Sequence, residues 1–285
     1  MLLRILTACV LIPVIVALVW SAPTGLLAAA AAIVSLLALA EFLDLGERLG
    51  FRAFRKWTMA CSAAVFYAQY SIGLIETRSL GEGVSIVRNA AGGVVSVEAV
   101  LLIFVFGCAG IGLATRRPLH DILPAVSIGS AGILFVALPF SYLVRMKEME
   151  TVGRQIVLFT LCLIWAGDIL AYFVGRWLGR IPMAPAISPK KTWEGALGNL
   201  VASLLVAVIF AHSMQADVLE MLVIAALGNI AGQMGDLIES TYKRGASVKD
   251  SGTLLPGHGG MLDRIDSLIL ASPIVWAAFQ WILQR

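Results

Sequence analysis

The sequence predicts an all-α polytopic membrane protein of about nine transmembrane helices, with a polar, cytoplasm-facing cavity among the C-terminal ones. Three observations predict it. Of 285 residues, 59% are hydrophobic and only 14% charged, whereas soluble domains carry about 25% charged residues. Apolar runs recur at close to the ~20 residues a helix needs to cross a bilayer. The remaining charge is gathered into short connections and one dense stretch, residues 236–266.

The apolar runs are 4–21, 25–44, 57–75, 98–115, 121–144, 155–178, 194–212, 217–240 and 264–283. The first follows Met1 and Arg4 and resembles a signal peptide, but another run begins just after Ser21–Gly25, so it reads as a retained span. Pro13, Pro139 and Pro273 fall inside spans, where neighbouring helices satisfy the carbonyls they free. The alanine run 28–32 suits packing through small side chains. Residues 44–57 alternate basic side chains with Phe51, Phe54 and Trp57; they read as an interfacial amphipathic segment or an ordinary positive-inside loop. Residues 76–97 are glycine-rich and carry no legible chemistry.

Placing the N-terminus in the cytoplasm puts most of the 21 basic residues on that side. They include Arg48, Arg52, Arg55 and Lys56, then Arg176, Arg180, Lys190 and Lys191, and finally Lys243, Arg244, Lys249 and Arg264. A net charge of +3 gives no reason to expect nucleic acid. Cys9, Cys61, Cys108 and Cys162 occur singly in apolar runs, which excludes a CxxC zinc site and favours buried thiols. The first five spans carry few ionisable residues and the last four carry many. Residues 1–150 therefore read as a helical scaffold available for dimerisation, and residues 151–285 as the catalytic half.

An ionisable side chain inside a span costs about 2.5–3.5 kcal/mol on insertion scales. Three of the last spans nonetheless carry polar residues at helical spacing: Trp165, Asp168, Tyr172 and Arg176; Thr192, Gly195, Asn199 and Ser203; Asn229, Gln233, Asp236 and Ser240, with Glu239 nearby. Such faces would converge on a hydrated cavity; the alternative is interhelical hydrogen bonding. Arg176, two turns along, could neutralise Asp168.

Two loops supply further charge. In 181–195, Ser188 is expected as an N-cap with Pro189 at the first helical position. That start, with Lys190, Lys191 and Thr192, makes an anion site, or else a plain capped helix with positive-inside lysines. In 236–266, Lys243, Arg244 and Lys249 can grip phosphate oxygens, and glycines around His258 allow close backbone approach. Asp263 and Asp266, with Asp236 or Glu239, can hold Mg²⁺, which takes one or two carboxylates plus substrate phosphates and waters. The alternative for His258 is a cap or brace of its turn.

SPKKTWEG (188–195), GDLIES (235–240) and STYKRGASVKDSGTLLPGHGGMLDRID (240–266) resemble the phosphatidate cytidylyltransferase (CDP-diacylglycerol synthase) family. The last run fits that family's signature along its length, through Lys249-Asp250, Pro256, His258-Gly259-Gly260, Asp263-Arg264 and Asp266. The resemblance implies a multi-pass bacterial inner-membrane enzyme, often a homodimer in the lipid bilayer, with its site facing the cytoplasm. It implies the reaction of CTP with phosphatidate to CDP-diacylglycerol and diphosphate, using Mg²⁺. Asp236 and Asp263 would be the metal ligands, and Lys243, Arg244 and Lys249 would complete the catalytic set. The expected substrate-binding set is Ser188, Lys190, Lys191, Thr192, Asp168, Asn199, Glu239, Asp250, His258, Arg264 and Asp266. The carboxylate count leaves room for a second cation without requiring one. Competing readings are a CTP-dependent polyprenol kinase, another lipid-phosphate cytidylyltransferase, and a cation-coupled transporter. Transport predicts deeper acids and an inverted repeat, and no repeat is visible.

Overall fold

The computed structural model describes residues 2–73, 75–79, 85–89, 95–115, 117–149, 152–254 and 259–283. Its elements are α1 (Leu2–Ser21), α2 (Thr24–Arg48), α3 (Arg55–Gly73), β1 (Ile75–Ser79), β2 (Ser85–Asn89), α4 (Val97–Ala114), α5 (Leu119–Gly132), a π turn (Ile133–Ala137), α6 (Leu138–Lys147), α7 (Gly153–Trp177), β3 (Pro182–Ala184), β4 (Ser188–Thr192), α8 (Trp193–Met214), α9 (Val218–Gly245) and α10 (Leu262–Leu283). Backbone polar groups cannot be left unpaired in hydrocarbon, which is why long apolar runs become helices. The chain is an all-α polytopic membrane protein. Among the described residues, seven helices are long and apolar enough to span a bilayer: Thr24–Arg48, Val97–Ala114, Leu119–Lys147, Gly153–Trp177, Trp193–Met214, Val218–Gly245 and Leu262–Ile282. Two further expected spans, 4–21 and 57–75, correspond to α1 and, as far as Gly73, to α3, with Ile75 already in β1; both helices stand outside those seven.

The helices group into two compact units, Ala22–Glu148 and Met1–Ser21 with Met149–Arg285. In Ala22–Glu148, Phe54, Cys61, Val65, Val100, Phe104 and Ile133 form one buried cluster. Trp57 Nε1 donates to the Phe104 carbonyl at 3.0 Å, tying α3 to α4. The π turn ends two residues before Pro139. Proline has no N–H to give the carbonyl four residues back, and a wider turn absorbs the irregularity. Cys61 and Cys108 are buried free thiols, as expected, whereas the free thiol Cys162 is only half-buried; the Cys9 side chain lies outside the described residues.

In the other unit, α7, α8, α9 and α10 pack successively, and α1 lies against α7. Before α8 the structure departs from expectation. Residues 188–192 form β4, antiparallel to β3, with Pro182 opposite Thr192 and Ala184 opposite Ser188. Ser188 is therefore no N-cap. Thr192 takes that role: its backbone is extended and its Oγ1 accepts from Gly195 N at 3.1 Å. Pro189 fits an extended strand as well as a first helical turn, so it does not discriminate locally. Cross-strand pairing decides, helped by the Trp193 N–H donating to the Ile181 carbonyl at 3.0 Å.

Candidate active site

The three polar stripes meet. A cavity of about 280 Å³ is lined by Asp168 and Tyr172 of α7, Lys190 and Lys191 of the hairpin, Asn199 of α8, Gln233 and Asp236 of α9, and Ser267 of α10. That is near the small end of the roughly 300–1,000 Å³ usual for small-molecule sites. The hairpin carries the two lysines to this cavity, and Glu194 holds the hairpin base by accepting from Ile181 N at 3.3 Å. Lys191 Nζ pairs with Asp236 Oδ2 at 2.5 Å, each side chain about 30% exposed.

One wall of the cavity is a chain of amides. Asn229 Nδ2 donates to Asn199 Oδ1 at 2.5 Å and to Ser203 Oγ at 2.6 Å. Gln233 Nε2 donates to Asn229 Oδ1 at 2.6 Å, and Asn199 Nδ2 reaches Asp168 Oδ1 at 3.4 Å. Satisfied networks of this kind hold their members in one orientation. Asn199 can lie this close to α7 because residue 167 is glycine: a Cβ there would sit 2.0 Å from Asn199 Oδ1. Arg176 does not neutralise Asp168. Their separation of eight residues is a rise of about 12 Å along the helix, and Arg176 Nη1 donates instead to Tyr172 Oη, one turn away, at 2.8 Å.

Asp236 also borders a second arrangement. Carboxylate oxygens of Asp236, Glu239 and Asp266 all lie within 4.8 Å of one another. Their convergence depends on close contact between α9 and α10, since a Cβ on Gly235 would fall 2.5 Å from the Asp266 carbonyl oxygen. Glu239 is fully buried; its Oε2 pairs with Lys243 Nζ at 2.5 Å and its Oε1 has no hydrogen-bond partner. An orphaned, buried carboxylate oxygen within a cluster of acids suits a divalent cation. The donor set is thus compatible with a metal at Asp236, Glu239 and Asp266.

Asp263 sits differently. Its Oδ1 accepts from Lys243 Nζ at 2.6 Å, and its Oδ2 accepts from Gly260 N at 2.8 Å and Ser251 N at 3.1 Å. Lys243 therefore bridges Glu239 and Asp263. Gly259 has φ +83°, a left-handed backbone that favours glycine and turns Gly260 N–H toward Asp263. Arg244 gives two of its five donors to the backbone, Nε to Ile187 O at 3.1 Å and Nη1 to Val248 O at 3.0 Å, bracing the hairpin against the end of α9. Lys249, Asp250 and Arg264 are exposed around the acidic cluster's loop. His258, Pro256 and Gly257 lie outside the described residues. Ser188 is half-buried in the hairpin and does not line the cavity.

Sequence reasoning about the site did not single out Gly235 or Gly167. The available signal was a glycine directly before Asp236 and before Asp168, which by itself says nothing about which neighbouring helix comes close.

Fold and site together define a polytopic α-helical membrane protein with an acidic, lysine-lined site built into its C-terminal helices. The chain belongs to the cytidylyltransferase family, whose family model, described as "Cytidylyltransferase family", matches residues 2–282. Among curated proteins it is similar to the phosphatidate cytidylyltransferase of Bacillus subtilis (strain 168), 39% identical over 145 residues, covering 50% of this chain and 54% of that protein. It is 41% identical over 173 residues to that of Brucella abortus (strain 2308), covering 60% and 62%. It is 43% identical over 127 residues to that of Haemophilus influenzae, covering 42% and 44%. These matches thus span 44% to 62% of the curated relatives' length.

Proposed function

We propose that this chain is a phosphatidate cytidylyltransferase of the bacterial inner membrane, joining CTP and phosphatidate to give CDP-diacylglycerol and diphosphate, with its site facing the cytoplasm. The observation that carries the reading is the adjacency of two features through Asp236. On one side is a cavity lined by Lys190 and Lys191; on the other is the Asp236, Glu239 and Asp266 cluster.

The reaction forms a bond from a phosphatidate phosphate oxygen to the α-phosphorus of CTP and breaks the α–β bridging bond. The monoester is largely ionised near neutrality, so no strong general base is required. What the site must supply is relief of repulsion between two anions, in-line alignment, and stabilisation of departing diphosphate. Lys190 and Lys191 approach the nucleotide phosphates from the hairpin, beside the N-terminus of α8 with its partial positive charge. Lys191, now paired with Asp236, exchanges that carboxylate for a phosphate oxygen when substrate enters. Lys243, gripped by Glu239 and Asp263, presents a fixed cation. Asp263 positions it, and Ser251 and Gly260 position Asp263. Asp168 and Asn199 contact the nucleotide away from its phosphates, while Lys249 and Arg264 face substrate charge from the surface.

Asp236, Glu239 and Asp266 would hold Mg²⁺, with the unpaired Glu239 Oε1 as the donor that most needs it; bound there, the ion would supply Lewis-acid neutralisation of phosphate oxygens. A homodimer in the bilayer is the expected assembly.

The test is formation of CDP-lipid from radiolabelled CTP and phosphatidate by detergent-purified protein, with and without Mg²⁺ and with Asp236→Asn as control. Product from the intact protein alone supports the reading. CTP binding without product from phosphatidate would redirect it to polyprenol or another lipid phosphate, and no CTP binding would remove it.

A further inference from the structure

Asp168 and Asn199 line the same cavity as Lys190, Lys191 and Asp236, but neither belongs to the cluster of Asp236, Glu239 and Asp266. A carboxylate is a poor lining for a site that need only hold anions. It is well suited to a donor, and the groups around it specify which donor.

Asn199 cannot turn its carbonyl toward Asp168. Its Oδ1 is engaged by Asn229 Nδ2 at 2.5 Å, Asn229 Oδ1 is engaged in turn by Gln233, and the chain ends at Ser203. The amide nitrogen of Asn199 is therefore what faces Asp168, at 3.4 Å. Asn199 is buried, whereas Asp168 is exposed to the cavity that both line. The wall offers an acceptor, Asp168, directly beside a donor, the Asn199 amide. One turn further along α7, Tyr172 lines the same cavity, its hydroxyl held by Arg176 at 2.8 Å.

An acceptor next to a donor is the complement of a 4-aminopyrimidine edge. Cytosine presents an exocyclic N4 amine, a donor, next to ring N3, an acceptor; carboxylates are the usual acceptors of that amine. Uracil reverses both groups, so its O4 would face the Asp168 carboxylate and its N3–H would face the Asn199 amide. Unstacked bases also seek aromatic faces, which Tyr172 offers.

We infer that Asp168 and Asn199 form a base-reading pair, in which Asp168 accepts the exocyclic amine of a cytosine nucleotide and the Asn199 amide donates to its ring nitrogen. Asn229 and Gln233 are positioning residues that hold the Asn199 amide in the donating orientation. The assignment rests on the nucleotide reading above and adds the source of its base selectivity. A site built to pair with a polar group rejects an analogue lacking it far more strongly than an apolar pocket rejects a missing methylene, because its own group is left unpaired.

The experiment compares CTP, UTP and the triphosphate of the pyrimidin-2-one ribonucleoside, which lacks only the amine, using purified full-length protein. Equilibrium binding and kcat/KM with phosphatidate are both measured, on the intact protein and on Asp168→Asn. The intact protein should favour CTP over the amine-less analogue by at least about tenfold in both readouts, and Asp168→Asn should bring that ratio to within about threefold of unity. The intact-protein comparison does not depend on the variant folding. CTP transferred to lipid without preference over the analogue would overturn the base-reading pair and leave the proposed reaction standing. So would an Asp168→Asn protein whose rates fall equally for all three nucleotides. Absence of CTP binding by the intact protein would overturn both.

Discussion

Replacing Gly235 by alanine tests whether helix contact, rather than the acids alone, makes the geometry of the proposed metal site. The added Cβ would lie 2.5 Å from the Asp266 carbonyl oxygen, about 0.9 Å short of the 3.4 Å at which ordinary contact begins. Backbone on both sides means that neither a rotamer change nor a flexible side chain relieves the clash, so α9 and α10 must part locally. Overpacking of this kind costs about 1–3 kcal/mol. The functional consequence should be larger than the loss of stability. The separation moves Asp266 away from Asp236 and Glu239, whose oxygens now lie within 4.8 Å of one another, and displacements near 1 Å cost about 100-fold in rate. The assay is Mn²⁺ binding followed by electron paramagnetic resonance, together with CDP-lipid formation and thermal unfolding in detergent. Gly235→Ala should insert and fold, bind Mn²⁺ at least about tenfold more weakly, and turn over about 100-fold more slowly. A variant with unchanged Mn²⁺ affinity and near-normal turnover would refute the dependence of the cluster on this contact.

Other perturbations have equally definite outcomes. Asp236→Asn and Asp263→Asn should each abolish turnover without preventing membrane insertion, the first by removing a ligand and the second by releasing Lys243; near-normal rates in both would sink the assignment of the acidic site. Lys191→Ala should raise the KM for CTP by roughly tenfold, equivalent to about 1.4 kcal/mol, with a smaller change in kcat; an unchanged KM would remove Lys191 from nucleotide binding. Thr192→Ala should lower stability by about 1 kcal/mol through loss of the α8 cap, while Ser188→Ala should not, and thermal unfolding distinguishes the two.

Much of the site could be read along the chain. Asp168 and Tyr172 share a face because residues three or four apart lie over one another on any α-helix, and the same holds for Asn229, Gln233 and Asp236. Placing those faces around a common cavity followed from the cost of exposing them to lipid. The hairpin at 182–192 was not legible in that way. Its Ser-Pro start satisfies the local rules for a capped helix, and only the partner strand makes the extended form preferable. Nor did spacing distinguish the roles of Asp263 and Asp266, which are three residues apart and share a face of α10. One meets Lys243 and the Ser251 and Gly260 N–H groups, and the other meets Asp236 and Glu239.

The sequence alone determined that this is a multi-pass helical membrane protein, which helices carry polar stripes, and which loops concentrate cations. Hydropathy and the 3.6-residue period are local properties, and they survive without knowledge of any neighbour. Only the tertiary structure decided which acids converge, which lysine each one holds, and which way the Asn199 amide points. Those depend on how near two helices come, and that distance is set by a missing Cβ at Gly235 and Gly167 meeting particular atoms far away in the chain.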